Sequence, residues 1–200
     1  MDRLWTPWRY NYVTGSEQAD ADPRNGVPKA LEAWPGEDRK CVFCNLIQSV
    51  EWASAQTTGM EGAERAGHIV ARLETCFVCL NAFPYASGHV LIVPYRHTGS
   101  LVQLSGHELE ELIKVAQRLE KVFHSVYHPE GINLGLNLGK AAGAGVANHL
   151  HFHQLPRWLG DTNFMTVTAE TRILPETLDI TWERLRIGWQ GVSEETTKYG

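Results

Sequence analysis

The sequence of 200 residues has few of the features that mark secreted, membrane-bound or nucleic-acid-binding proteins. It contains only four cysteines, which favours metal-binding or core roles over a disulfide scaffold. No apolar run reaches membrane-spanning length, and the N-terminus lacks the apolar segment of a secretory signal. No long Lys/Arg run is present, and the formal net charge is −5. We therefore expect a cytoplasmic protein with no nucleic-acid partner and no membrane partner.

The apolar patterns predict an α+β fold. Short strands are predicted over residues 68–73, 75–80, 88–94 and 132–138. A long helix is predicted to begin after Ser105, where the Ser-x-x-Glu spacing forms a capping box, and a last helix is predicted over 175–187. Hairpin-like strands with one long helix and a C-terminal helix favour an antiparallel sheet. Residues 1–40 are predicted to form an N-terminal arm and polar loop, and residues 41–200 a single domain with a C-terminal extension.

Three histidines alternate at positions 149, 151 and 153, shortly after a glycine-rich segment at 139–145. On a strand, residues at i, i+2 and i+4 share a face, so the three imidazoles line up. One metal ion held by all three is disfavoured, because Cα atoms at i and i+4 lie ~13 Å apart. The amides of a glycine-rich loop can cradle a phosphate. A neutral imidazole beside that phosphate can attack it or move its protons, although a polar strand with satisfied imidazoles is the simpler alternative.

The cysteines form two pairs with the same spacing. Cys41 and Cys44 have the usual spacing of half a tetrahedral zinc site. Cys76 and Cys79 lie on a predicted strand, where residues i and i+3 point to opposite faces, so they are predicted to be small apolar residues, at least one of them in the core. Two histidines are then needed to complete a zinc site. Besides the alternating three, the candidates are His68, His89, His97, His107, His124 and His128, and the residue types alone leave the choice open.

The segment 149–155 resembles the HxHxHxx signature of the histidine triad (HIT) superfamily, and the resemblance extends over residues 41–157. The segments 4–9 and 153–158 also resemble the branch that contains bacterial diadenosine tetraphosphate phosphorylases. The resemblance implies a HIT-like fold. It also implies an enzyme, a nucleotidyl transferase or phosphorylase that acts on dinucleoside polyphosphates through a nucleotidyl-histidine intermediate.

The resemblance also implies roles for individual residues. His151 would be the catalytic nucleophile, and His153 would hydrogen-bond the α-phosphate or the bridging oxygen. A structural Zn²⁺ ion would be held by Cys41, Cys44, His97 and His149. The implied nucleotide-binding residues are Asn81, Phe83, Tyr85, Asn137, Gly143, Ala144, Gly145, His151 and His153.

The nature of the acceptor follows less directly from the sequence. Many hydrolases of the family carry a Gln-Ser pair shortly before the triad, whereas this chain has Ala144, Gly145 and Val146 there. Inorganic phosphate is therefore the expected acceptor, with Lys140 and Arg157 as the nearest cations in sequence. The alternatives are a HIT-type hydrolase of nucleoside phosphoramidates or dinucleotides, and a nucleotide-binding regulatory protein with little turnover. Because the family commonly forms dimers, the resemblance also implies a possible homodimer.

Overall fold

The centre of the fold is a five-stranded antiparallel sheet. A computed structural model describes residues 26–36, 41–56, 59–161 and 175–192 of the chain. The strands are β1 (Ile69–Arg72), β2 (Cys76–Leu80), β3 (Val90–Pro94), β4 (Gly131–Gly135) and β5 (Phe152–Arg157). Their spatial order is β1-β2-β3-β5-β4, so the triad strand β5 lies between β3 and β4. In this register His153 is opposite Leu91 on one side and Gly135 on the other.

Four α-helices accompany the sheet in the described part of the chain. They are α1 (Val42–Gln56), α2 (Gly59–Ala66), α3 (Gly106–Tyr127) and α4 (Leu178–Gly191). Short 3-10 turns occupy Lys29–Leu31, Leu101–Gln103 and Lys140–Ala142. The prediction of an α+β fold with one long helix and a C-terminal helix is confirmed.

The helix α3 begins and ends as the sequence predicts. The Ser105 hydroxyl accepts a hydrogen bond from the Glu108 amide, and the Glu108 carboxylate accepts one from the Ser105 amide. At the other end, His128 takes a left-handed conformation with φ 47°, and Pro129 follows it. Neither residue favours a continuing helix, so the chain turns into β4.

Helices cover both faces of the sheet. In β2, Cys76, Val78 and Leu80 point into a core cluster that also contains residues of α3 and α4. Phe77 and Cys79 point the other way, into a second cluster that contains residues of α1 and α2 and is called the α1-side cluster. This alternation is the period of two expected of a strand. The prediction that Cys76 and Cys79 point to opposite faces, with at least one of them in the core, is therefore confirmed, and both are buried.

Several element boundaries differ from the prediction. The helices α1 and α2 are not among the predicted elements, although Phe43, Ile47 and Val50 recur at helical spacing and are buried. The strand β4 ends at Gly135 instead of extending to residue 138, and α4 runs from Leu178 to Gly191.

The N-terminal arm was predicted from the low apolar content of residues 15–40. Three of its apolar residues, Val27, Leu31 and Trp34, are nevertheless buried in the α1-side cluster. The aromatic segment 4–9 lies outside the described residues, and the domain division at residue 40 stays a prediction. None of the described helices combines the length and apolarity that crossing a membrane requires.

Candidate active site and metal centre

The three histidines share one side of the chain, although only His153 belongs to the strand. The strand β5 begins at Phe152, so His149 and His151 lie in the extended segment that leads into it. The rings of His149 and His151 lie 5.4 and 5.1 Å from the Phe43 ring at the start of α1. Leu150 and Phe152 point into the opposite cluster, against α3. The predicted alternation of sides is thus present, but the strand starts later than predicted.

The segment before the triad is held against the loop that follows β3. The Leu150 amide donates to the Thr98 carbonyl at 2.7 Å. At the neighbouring Gly99, an added Cβ would lie 2.4 Å from the Ala147 carbonyl oxygen, so only glycine permits this approach. These contacts hold the backbone of the segment that carries His149 and His151 in a fixed position.

Backbone carbonyls determine which nitrogen carries the proton in two of the histidines. His151 Nδ1 lies 2.8 Å from the His149 carbonyl oxygen, which can only accept a hydrogen bond. In the neutral ring, Nδ1 therefore carries the hydrogen and Nε2 keeps a lone pair. His149 has the opposite arrangement, because its Nε2 lies 2.9 Å from the Pro94 carbonyl oxygen. Nδ1 of the neutral His149 ring therefore carries no hydrogen, and its lone pair can bind a metal ion.

Four side chains bring metal-ligating atoms together beside the triad. They are Cys41, Cys44, His97 and His149, and their ligand atoms all lie within 4.8 Å of one another. The Cys41 Sγ–His149 Nδ1 distance is 3.2 Å, the Cys44 Sγ–His97 Nδ1 distance is 3.3 Å and the Cys44 Sγ–His149 Nδ1 distance is 3.6 Å. Sulfur and nitrogen ligands of a tetrahedral zinc ion lie ~3.6 Å apart, given bonds of ~2.3 and ~2.1 Å. The cluster therefore has the donor set and spacing of a site that can hold a metal ion.

The surroundings of this cluster also suit a metal site. A metal-bound histidine usually donates its other N–H to a carbonyl or carboxylate, and His149 does so toward Pro94. Cys76 and Cys79 lie in the sheet core, and burial raises the pKa of the Cys79 thiol to about 12. Of the other histidines considered, His68 pairs with Asp179, so it has a partner elsewhere.

Burial keeps the triad neutral. His149 is 2 % exposed and His151 is 6 % exposed. Loss of hydration lowers the pKa of His149 to about 4, and it lowers the pKa of His151 as well. Burial, together with the nearby His151, lowers the pKa of His153 to about 4. At neutral pH all three rings are therefore uncharged, and the lone pair of His151 Nε2 is available.

The glycine-rich segment forms a tight loop on the same side. Gly139 and Gly143 have φ values of 80° and 91°, which favour glycine, and they flank the turn Lys140–Ala142. The Gly145 and Val146 amides donate to no acceptor within the described residues. Val146 packs at the edge of the α1-side cluster, which also contains Phe43. The loop thus carries free amide donors of the kind that bind phosphate.

The other predicted nucleotide-binding residues fall into two groups. Asn137 is half-buried between β4 and the glycine-rich loop, and Ala144 within that loop is buried. Phe83 and Tyr85 lie in the loop between β2 and β3, and their side chains are 68 % and 46 % exposed. The Tyr85 ring is nearly parallel to His153, with a centroid distance of 6.0 Å and an interplanar angle of 15°. Tyr85 is therefore beside the triad, while Phe83 is directed to solvent.

The two cations considered for an acceptor site differ in position. Arg157 lies at the far end of β5, opposite Gly131, and its guanidinium pairs with both oxygens of Asp161. Its charge is therefore already compensated, and the acceptor role suggested by sequence proximity is not supported. Lys140 is exposed on the glycine-rich loop itself.

One residue of the site was missed by sequence reasoning. His89 was considered only as a metal ligand, but its Nε2 lies 3.0 Å from His153 Nδ1. Its position directly before β3, the strand that pairs with β5, is the sequence signal that could have found it.

A fold with an antiparallel sheet, three alternating histidines of which two are buried and an adjacent Cys/His cluster defines a histidine triad protein. Residues 63–158 match the family model described as the HIT domain. The chain is also 33% identical to a curated protein of Mycobacterium tuberculosis named AP-4-A phosphorylase, over 94% of this chain and 85% of that protein. The chain therefore belongs to the HIT family.

Solved structures show the same fold. A zinc-bound histidine triad family protein from Mycobacterium smegmatis superposes with a TM-score of 0.57 and 25% identity, over 76% of this chain and 94% of that one. A hypothetical histidine triad nucleotide-binding protein from Sulfolobus tokodaii gives a TM-score of 0.54 and 25% identity, over 66% of this chain and 89% of that one.

Proposed function

We propose that this chain is a HIT-family nucleotidyl transferase that cleaves dinucleoside polyphosphates through a nucleotidyl-histidine intermediate on His151. The observation that carries the proposal is the 2.8 Å contact between His151 Nδ1 and the His149 carbonyl oxygen, which assigns the ring hydrogen to Nδ1. This arrangement leaves the Nε2 lone pair free to attack phosphorus. The ring of His153 lies 5.0 Å from that of His151, close enough to act on the same phosphate.

The reaction divides into two displacements. His151 Nε2 forms a bond to the α-phosphorus, and the bond from phosphorus to the bridging oxygen breaks with its electron pair on that oxygen. His153 hydrogen-bonds the departing oxygen, and the Gly145 and Val146 amides bind the phosphoryl oxygens. An acceptor then attacks the same phosphorus from the side opposite to the imidazole, and His151 leaves with its lone pair restored.

The Cys/His cluster has a structural role in this proposal. Cys41, Cys44, His97 and His149 would hold a zinc ion, which with four protein ligands has no open position for water. As a ligand of that ion, His149 would be held in place, and its carbonyl would keep His151 oriented.

The proposed acceptor is inorganic phosphate. The relative named AP-4-A phosphorylase supports this choice, since the chain aligns with 85% of its length. Lys140, on the glycine-rich loop, is the cation that would attract the anion. Asn81 and Tyr85 would contact the ribose and base at the other end of the site.

Acceptor and intermediate are tested together. The purified chain is incubated with diadenosine tetraphosphate while the phosphate concentration is varied. Phosphorolysis yields ADP and ATP and requires phosphate, whereas release of AMP without phosphate would assign a hydrolase. Mass spectrometry after acid-free quenching should find an AMP adduct on His151. Binding of nucleotide without turnover or adduct would favour the regulatory alternative.

We also propose a homodimer formed through the edge strand β4. Among the described residues β4 pairs only with β5, and four of its five residues are exposed. An edge strand of this kind is prone to association. Ile113 and Leu134 are 57 % and 51 % exposed and line a groove between α3 and β4. Light scattering should give twice the chain mass of 22.4 kDa, and Leu134→Lys should give the monomer mass. A monomeric unmodified chain would contradict this part of the proposal. The expected cytoplasmic location stays a prediction, to be checked by cell fractionation.

A further inference from the structure

His89 is a buried histidine that the mechanism above does not use. It is 1 % exposed and lies at the end of the loop between β2 and β3. Its backbone is fixed, because its amide donates to the Ala86 carbonyl and its carbonyl accepts from the Asn81 amide. A histidine this deeply buried and this firmly placed needs hydrogen-bond partners on both ring nitrogens.

The partner on the first nitrogen is a group that can only donate. The Tyr85 backbone N–H donates to His89 Nδ1 at 3.1 Å. The Asn81 amide nitrogen lies 3.3 Å from Nδ1 and 3.5 Å from Nε2 of His89, so it is closer to the nitrogen that Tyr85 contacts. The orientation of that amide is settled by Asn81 Oδ1, which accepts a hydrogen bond from the Phe83 N–H at 2.9 Å. Nδ1 of His89 therefore holds a lone pair, and the hydrogen of the neutral ring is on Nε2.

The second ring nitrogen of His89, Nε2, contacts the triad and determines which nitrogen of His153 carries the hydrogen. His89 Nε2–H points at His153 Nδ1 over 3.0 Å. His153 Nδ1 must then accept, so the hydrogen of the neutral His153 ring is on its Nε2. His151 is held in the opposite tautomer by the His149 carbonyl. Two neighbouring imidazoles thus present complementary atoms, a lone pair on His151 Nε2 and an N–H on His153 Nε2.

We propose that His89 is a positioning residue that holds His153 in the Nε2–H tautomer, so that His153 donates a hydrogen bond to the departing oxygen. The proposal rests on the proposed function for the identity of that oxygen. In the other tautomer, His153 Nε2 would present a lone pair to an oxygen that gains negative charge, and the two would repel. The loop between β2 and β3 therefore determines the tautomer of His153 through the Tyr85 N–H and His89.

The test uses two variants of equal size and opposite hydrogen-bonding character. In His89→Gln, the amide NH₂ can still donate to His153 Nδ1 while the amide oxygen accepts from Tyr85. In His89→Glu, the carboxylate can only accept, which favours the Nδ1–H form of His153. His89→Leu is a third variant that removes the donor without adding a charge. His107→Gln, at an exposed position on α3, is the matched control.

Two readouts separate positioning from a merely structural effect. Long-range ¹H–¹⁵N spectra of the full chain, without nucleotide, report the tautomer of His153, assigned by comparison with His153→Asn. Steady-state kinetics with diadenosine tetraphosphate and phosphate report kcat and KM. We expect the Nε2–H form in the unmodified chain, in His107→Gln and in His89→Gln. In His89→Glu we expect the Nδ1–H form and a kcat about 100-fold lower, within the usual contribution of proton-donating groups, with KM changed less than about threefold.

The outcomes distinguish the two proposals. If the unmodified chain shows the Nδ1–H form of His153, or if the Gln and Glu variants have equal kcat, the inference about His89 is wrong. If His89→Glu does not fold, a mixed tautomer with lowered kcat in His89→Leu supports the inference, and an unchanged Nε2–H form overturns it. If no nucleotidyl transfer is detected with any variant, the proposed function fails while the tautomer measurement still decides the role of His89.

Discussion

Removal of the metal from the Cys/His cluster should destabilise the fold by a measurable amount. The four ligands come from the start of α1, the end of β3 and the segment before β5. Cys44 is 53 residues from His97 and 105 residues from His149, so a bound ion closes two long loops. Structural zinc contributes its binding free energy to folding, because the unfolded chain lacks the preformed site.

The size of the effect follows from mass action. With free zinc at ~1,000 times its dissociation constant, binding stabilises the folded state by about 4.1 kcal/mol. For a chain of this length, 1 kcal/mol corresponds to roughly 2–4 °C in Tm. We therefore expect strong chelation to lower Tm by ~8–16 °C. Scanning calorimetry with and without chelator measures this shift, and metal analysis of the untreated protein should find about one zinc per chain.

Two pairs of substitutions supply the control. Cys41→Ser with Cys44→Ser removes both thiolates, and that variant should lose the zinc and its response to chelator. Cys76→Ala with Cys79→Ala removes two buried thiols of the sheet core and should keep one zinc per chain. A double serine variant that retains its zinc, or a chelated protein that melts at the original temperature, would refute the reasoning.

Three further predictions concern the triad and its strand. His151→Ala should lower turnover by several orders of magnitude and still bind nucleotide, as measured by steady-state rates and calorimetric titration; near-normal turnover would exclude it as the nucleophile. Burial lowers the pKa of His151 below its usual value, so the neutral nucleophile persists as pH falls. The acid limb of a kcat/KM profile should therefore lie below pH 6.5, the reference value, and a midpoint above it would contradict this. Gln154 is 2 % exposed, and its Oε1 has no partner among the described residues, while its Nε2 donates to the Ala116 carbonyl. Gln154→Leu should raise stability by ~1 kcal/mol and Tm by ~2–4 °C in thermal unfolding, whereas a lower Tm would mean that Oε1 is satisfied.

Local patterns in the sequence determined much of the fold and the main elements of the site. The alternation at 149–153 predicted three imidazoles on one side, because neighbouring residues of an extended chain point in opposite directions. The same argument assigned Cys76 and Cys79 to opposite faces of the sheet, as observed. The capping box at Ser105 located the start of α3. In each case the physical cause acts over a few residues, so it can be read from the chain.

The choice among partners distant in sequence depended on the tertiary structure. The residue types left the histidine ligands open, and only the packing of α1 against the loop after β3 brings His97 and His149 to the cysteines. Arg157 is near the triad in sequence, but an extended strand carries it to the far end of the sheet, where Asp161 compensates its charge.

The chemistry of the triad is the clearest case. The sequence determined which three imidazoles meet, but the position of the hydrogen on two of the rings, those of His149 and His153, depends on a single group from elsewhere in the fold. For His149 this group is the Pro94 carbonyl, and for His153 it is His89, itself oriented by the Tyr85 amide. The neutral histidine ring can carry its hydrogen on either of two nitrogens at similar energy, and a neighbour that must donate or must accept selects one of them. The register of β3 against β5 places Pro94 and His89 beside the triad, and this register cannot be predicted from the triad sequence alone.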